Sequence, residues 1–385
     1  MQRNDRLAII GAGCAGLSLA AGLARQGFDL NAVALYERRT EYQQDRSWCY
    51  WGVEEHPWQE LEFRRWWRWR LCYQGREVVV ESRRYPYCLL PAGEFYHAAL
   101  GMVRGTAGVR LELGTGVERI DPLATGHSLL LSCGTEAHAE RVVDTRPPPA
   151  LMSRRYPALL QHFLGQYIYT SEEVFDCDTV TLMDFDLDQS RGIHFVYMLP
   201  LQPNLAYVAD TFFAHEPLDA TIYRATLREW LRLRHGVVRF TVESEEQGVI
   251  PMLTAPTRLC HAGVRRLGLA GGAAKPSSGY AFLAIQRQTE EYLRRLATEG
   301  LGAQPPRPRS LGLEWLDRIF LCQMLDHPGA VPELMLRLFE RCEGDALVRF
   351  LSDCPSAQDV WQVVRALPPL GLSLTALRRV NRWLS

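Results

Sequence analysis

With 385 residues, 47% of them hydrophobic, and a formal net charge of -1, the chain can build a large core as one big domain or two, and its charge argues against nucleic acid as a partner. Lys275 is the only lysine, so nearly all the positive charge is arginine, which reads as composition rather than chemistry. The ten cysteines are scattered with no C-x-x-C pair, and no signal peptide or long apolar run is present; free thiols in a reducing cytoplasm are expected, with no metal site and no membrane span.

Leu7 to Ile10 reads as a strand, Gly11-Ala12-Gly13-Cys14-Ala15-Gly16 as a glycine turn, Leu17 to Arg25 as a helix and Ala32 to Tyr36 as a second strand ending on Glu37. This is a dinucleotide-binding unit. Gly11 allows the tight turn, Gly13 lets a pyrophosphate approach the backbone, and Gly16 lets the helix pack against the strand. The anion would sit on the helix N-terminus. Glu37 lies near the ~20-residue spacing at which a carboxylate holds ribose hydroxyls. Cys14 is read as a small residue in the turn.

A tract rich in tryptophan and arginine follows, Phe63-Arg64-Arg65-Trp66-Trp67-Arg68-Trp69-Arg70. It suits a lipid interface, or else a strand burying Trp67, Trp69 and Leu71 while Arg68 and Arg70 face solvent. Arg76 to Ser82 is a strand, Pro91 opens a helix, and Val109 to Leu113 is a parallel strand. Ser128 to Ser132 and Ala137 to Val143 form a hairpin-like pair running into Asp144, before three prolines end regular structure. Residues 151–255 read mainly as β, with alternation suited to a one-faced antiparallel sheet and one helix from Thr221. Leu267 to Leu269 is a strand leading to Gly271, Gly272, Pro276, Ser277 and Gly279, then a long helix to Leu296. Beyond Pro305, Pro306 and Pro308 the chain is helical to its end.

Several blocks resemble the lycopene cyclase family of carotenoid biosynthesis, in its bacterial β-cyclase branch. They are Ser47-Trp48-Cys49-Tyr50-Trp51, Thr181 to Phe185, Phe195 to Leu201, Glu246 to Met252, Gly271 to Tyr280 and Trp315 to Leu321. With the nucleotide pattern, the resemblance implies an α/β fold: a Rossmann-type FAD-binding domain (1–150 and 256–304), an inserted antiparallel β-sheet substrate domain (151–255) and a helical C-terminal region (305–385). In related flavoproteins a strand ending like Asp144 closes the nucleotide-binding sheet. The implied cofactor is FAD, active in its reduced form, with NAD(P)H as reductant. The implied substrate is a long apolar isoprenoid such as lycopene, met at a membrane surface by a peripherally associated protein.

Such a reaction adds a proton to a terminal alkene, closes a ring on the cation and loses a proton, without net oxidation. It requires a desolvated acid and electron-rich walls. The resemblance places the family's acid at Ala209, in Tyr207-Val208-Ala209-Asp210-Thr211, where no proton can be given. Another acid, a related reaction or a removed acid all fit. Glu246 ranks first as substitute, followed by Asp210, Asp184, Asp186 and Glu245. Asp210 points to the opposite strand face from Ala209, Asp184 suits a turn, and His194 reads as structural. The alternatives are a flavin monooxygenase, disfavoured by Gly271-Gly272 where that class carries Gly-Asp, and a lipid- or flavin-binding homologue without activity.

Overall fold

The computed structural model describes residues 3–27, 33–147, 158–253 and 263–367. The N-terminal unit forms β1 (Arg3–Ile10), α1 (Cys14–Arg25) and β2 (Val33–Tyr36), with both strands parallel. Next come β3 (Ser47–Trp51), β4 (Arg64–Trp66), β5 (Arg68–Tyr73), β6 (Arg76–Glu81), β7 (Tyr87–Pro91) and α2 (Ala92–Arg104). The strands β8 (Val109–Glu112), β9 (Val117–Pro122), β10 (His127–Leu131) and β11 (Glu136–Asp144) complete this part. The middle holds β12 (Ala158–Tyr169), β13 (Thr179–Asp184), β14 (Ile193–Gln202), β15 (Leu205–Ala214), α3 (Ala220–His235) and β16 (Thr241–Leu253). After β17 (Val264–Arg266) and α4 (Phe282–Glu299) the described chain ends in α5 (Leu311–Asp326), α6 (Val331–Arg341), α7 (Gly344–Leu351) and α8 (Ala357–Ala366).

The first sheet has the order β8-β2-β1-β11-β10-β9, with β17 beside β11. Leu7 to Ile10 of β1 and Val33 to Tyr36 of β2 are buried on both faces, which is why those stretches read as unbroken apolar runs. Leu17, Phe95 and Leu293, from α1, α2 and α4, share one core beneath it. β11 lies inside the sheet, parallel to β1 and antiparallel to β10. The strand expected at Leu267 to Leu269 ends at Arg266, because Gly268 turns the chain at φ +67° into a 3-10 turn over Gly268–Gly271.

The second sheet has the order β16-β12-β15-β14-β13-β5-β6. Its last two strands come from the early part of the chain, and β5 runs parallel to β13. Nor is this sheet one-faced. Odd-numbered side chains of β14 and β15, such as Phe195, Tyr207 and Phe213, enter one core with residues of α5 to α8. Even-numbered ones, such as Val196, Val208 and Phe212, pack against Tyr223, Leu227 and Trp230 of α3. Two covers leave few polar positions along these strands, so the alternation seen in the sequence is only partial.

A small third sheet, β3-β7-β4, bridges the two large ones. The chain leaves it at Trp67, between β4 and β5, and that break shifts the inward set: Trp66 and Trp69 are 2% and 0% exposed, whereas Trp67 is 43% exposed. The expected Trp67–Trp69–Leu71 alternation is corrected accordingly. Asp219, Ser310 and Ser356 cap α3, α5 and α8 by accepting backbone N–H bonds. The helical reading of the final stretch, 368–385, lies outside the described residues.

Candidate active site

At the first glycine turn, Gly11 holds φ +90°, and a Cβ on Gly16 would overlap the Gly11 carbonyl oxygen. In front of Gly13 there is open space: a Cβ there would meet nothing within 4 Å. Gly13 is also the N-cap of α1, with no side-chain cap and no acid in the first turn. The unpaired N–H groups therefore face an open volume, which fits the pyrophosphate of a dinucleotide. Glu37 accepts the Ala12 N–H at 2.7 Å and the Arg39 N–H at 2.9 Å, tying the acid to the turn. Asp144 lies in the fork of Arg146, at 2.9 and 2.7 Å. Cys14 is held beside Gln286, and burial pushes its thiol up.

The second loop runs from Gly271 and Gly272 (φ +80°) through Pro276 and Ser277 to Gly279 (φ +74°). Gly279 allows a close approach to Gln161, whose Oε1 a Cβ would overlap. Among the described residues Gln161 Oε1 and Ser278 Oγ are buried without a protein partner. Such orphaned polar atoms carry an energetic penalty unless something else satisfies them, and a ring bearing both donors and acceptors, such as a flavin, suits them.

Beside this loop an apolar cavity of about 270 Å³ opens between the second sheet and the C-terminal helices. Phe185, Ile193 and Phe213 form its sheet wall, Trp315 and Phe339 its helical wall, and Ser277 and Tyr280 meet it from the loop. Rings continue inward from it. Trp51 packs on Tyr280 at 5.2 Å, Tyr280 is hydrogen-bonded to Tyr87 at 3.0 Å, and the Tyr197 hydroxyl donates to Tyr87 at 3.1 Å. Tyr197 lies 6.3 Å from Tyr207.

At the far end of these rings is Glu246. Tyr207 donates to its Oε1 at 2.6 Å and Ser47 to its Oε2 at 3.2 Å, and Ser47 is hydrogen-bonded to Tyr167 at 2.7 Å. Burial raises the Glu246 carboxyl above its ordinary value, against the lowering effect of Tyr207 and Ser47. The register explains its position. Tyr197 pairs with Ala209, Ala209 with Gly165, and Gly165 with Glu246. Directly paired residues share a sheet face, so Glu246 stands in the same cross-strand row as Ala209, two strands away. Gly165 between them has no side chain; a Cβ there would overlap the Tyr207 hydroxyl.

A sequence profile for the family described as "Lycopene cyclase protein" matches residues 6–377. The chain belongs to the lycopene cyclase family. Among named relatives, lycopene beta-cyclase of Paracoccus sp. (strain N81106 / MBIC 01143) is 27% identical over 64% of this chain and 66% of its own length. That of Pantoea ananas is 24% identical over 73% of this chain and 72% of its own. That of Pseudescherichia vulneris is 30% identical over 40% of each, so the match spans less than two thirds of two of these three relatives. Solved structures agree on the fold. A geranylgeranyl bacteriochlorophyll reductase-like protein from Thermoplasma acidophilum superposes with a TM-score of 0.63 at 10% identity, over 99% of this chain and 100% of that one. A variant of Klebsiella pneumoniae HpxO complexed with FAD gives 0.63 at 16% identity, over 96% and 100%.

In this lycopene cyclase family member the other acids sit elsewhere. Asp210 is fully buried on the α3 face and bonded to His194 Nε2 at 2.5 Å; His194 in turn contacts the Asp188 carbonyl. Asp184 accepts from Trp230 at 2.8 Å and from Arg234 at 2.7 and 2.9 Å, anchoring α3 to the sheet. Glu245 is held by Arg224 and Gln166, and Asp186 by Arg234. None of these four lines the cavity, and nor does Glu246; what distinguishes Glu246 is its place on the sheet face that carries the linked tyrosines. Sequence reasoning missed Tyr207, Tyr167, Tyr87, Tyr197 and Gly165. The aromatics at 197 and 207 lie within or near matched blocks, but only register shows that they converge.

Proposed function

We propose that the protein closes rings at the ends of a linear isoprenoid of the lycopene type, by redox-neutral proton addition, ring closure and proton loss, with Glu246 as the acid. The observation that carries this reading is the buried Glu246 carboxyl, in the row of Ala209 and joined by tyrosine rings to the apolar cavity.

Glu246, whose carboxyl burial shifts toward the protonated form, gives its proton to a terminal alkene carbon; the alkene's electrons form the new C–H bond and leave a tertiary cation. Tyr207 and Ser47 hydrogen-bond the carboxylate left behind. Electrons of the neighbouring double bond close the six-membered ring, and the Glu246 carboxylate takes back a ring proton, whose C–H electrons form the new double bond, so that the acid is restored. Aromatic faces such as Trp51, Tyr197 and Tyr280 lower the cation's energy by up to ~2 kcal/mol where water is excluded, and the apolar walls keep out water that would trap it as an alcohol.

The cofactor assigned is FAD, held non-covalently by Gly11, Gly13, Gly16 and Glu37 at its ADP end and by the Gly271 to Gly279 loop at its ring, with Asp144 nearby and NAD(P)H as external reductant. Bound and reduced, it would supply a negative, polarisable ring that lowers the cation's energy. Membrane contact belongs to the same reading. Leu311, Trp315, Trp361 and Val364 are exposed on α5 and α8, and Trp315 and Val364 also line the cavity, so its mouth lies in an apolar rim. The Trp66 to Trp69 tract adds little to it, since two of its tryptophans are buried. No helix among the described residues is long and apolar enough to cross a membrane.

The test is incubation of the purified protein with lycopene and reduced FAD, followed by chromatography and mass measurement. A ring-bearing product of unchanged mass supports the cyclase reading. A product heavier by one oxygen indicates a monooxygenase, and no product leaves a binding protein.

A further inference from the structure

Lys275, the only lysine, is 2% exposed and belongs to a buried set of four charges behind the second loop. Its ammonium pairs with Asp317 of α5 at 3.2 Å and with Asp353, in the turn between α7 and α8. The other Asp353 oxygen accepts from Arg309 Nε at 3.2 Å. Arg309 donates onward to the carbonyls of Gly272, Ala273 and Ala274 at 3.0, 2.9 and 3.2 Å, and Asp317 accepts from the Ser277 hydroxyl. Asp353 holds φ +62°, a left-handed value uncommon outside glycine. Stability alone does not call for such a cluster, since a well-packed apolar substitute is often at least as stable.

The set ties the second loop to the C-terminal helices, and one helix reaches both ways. Trp315, Leu316, Ile319 and Phe320 of α5 line the cavity, and Asp317 lies at its wall beside Ser277. A ligand packed on those side chains bears on α5, and through α5 on the carboxylate that pairs with Lys275 and accepts from Ser277.

Resting on the flavin reading above, we infer that Asp317 is a positioning residue that couples the cavity to the loop, so that an isoprenoid in one and flavin on the other each strengthen the other's binding. Such coupling is reciprocal by thermodynamic linkage.

The experiment is a flavin-fluorescence titration of apoprotein with FAD, with and without squalane, a saturated isoprenoid that does not cyclise, delivered in cyclodextrin. Squalane is expected to lower the Kd for FAD about 5-fold or more in the wild type and less than about 2-fold in Asp317→Asn. Should that variant fail to fold, Ser277→Ala, which removes one hydrogen bond to Asp317, is expected to shrink the ratio in the same direction. A wild-type ratio of one, or the same ratio in wild type and in every variant that folds, overturns the proposal. Wild-type protein that binds no FAD with or without squalane overturns the flavin reading instead.

Discussion

The Tyr207 hydroxyl reaches Glu246 at 2.6 Å by leaning across Gly165, the residue that separates Glu246 from Ala209 in their common row. A positioned acid typically contributes ~10² to 10⁴-fold in rate, so Glu246→Gln should lower kcat for ring formation by that order. Ala209→Glu should change little while Glu246 is present. If Ala209→Glu raises ring formation steeply and Glu246→Gln leaves it intact, the acid has been assigned to the wrong residue.

Glu246 acts protonated, and burial raises its pKa. Activity should therefore hold at low pH and fall as pH rises through that raised value. Its share of stability has the same sign, complete below the ordinary carboxylate range and lost as pH rises. Glu62 has the opposite sign. Burial acts against it, but bonds from His56, Arg65 and Tyr50 bring it from 4.5 down to about 2. Its contribution is present above pH 4.5 and lost toward pH 2. Melting curves against pH for Glu246→Gln and Glu62→Gln should flatten opposite limbs of the wild-type profile; flattening of the same limb by both would contradict these assignments.

Two glycines of the first turn should separate folding from cofactor binding. A Cβ at Gly16 meets backbone, whereas one at Gly13 meets open space. Gly16→Ala should lower the melting temperature of the apoprotein and weaken FAD together. Gly13→Ala should lower the melting temperature of the apoprotein only slightly, the small cost of alanine at a helix N-cap, and weaken FAD far more, because its methyl occupies the volume assigned to pyrophosphate. Unaltered FAD affinity in Gly13→Ala would remove that assignment.

Asp184 is assigned to the anchoring of α3. Since Arg234 is partly solvated, Asp184→Asn should cost about 2 kcal/mol of stability, read by denaturant unfolding, while kcat per folded molecule is kept. A loss of kcat without a loss of stability would return Asp184 to the candidate acids.

Sedimentation with vesicles checks the rim. The wild type should pellet with phosphatidylcholine–phosphatidylglycerol vesicles, and Leu311→Ser/Trp361→Ser should pellet less, while Trp67→Ser behaves as wild type. Recovery in the supernatant regardless of vesicles would rule out the membrane reading.

The nucleotide-binding unit was legible because its chemistry is local: turn, helix and acid lie within one short stretch and signal through spacing. The cross-strand row of Glu246 was not. Its members come from β14, β15, β12 and β16, and nothing along the chain states that Gly165 lies between Ala209 and Glu246. The tryptophan tract misled for a related reason, since the period-2 rule carries across a strand but not across the break at Trp67. Asp210 was read onto the correct face because alternation within one strand sufficed.

The parallel pairing of β5 with β13 also bears on how the protein is made. Arg68 to Cys72 wait for Thr179 to Asp184, and at ~5–20 residues per second the ribosome takes roughly 5–20 s to supply them. Through that interval the inner edge of the β5–β6 hairpin, with Trp69 and Leu71 on it, has no partner strand. Fragments ending before β13 should therefore aggregate or engage chaperones, and fragments extended past it should not.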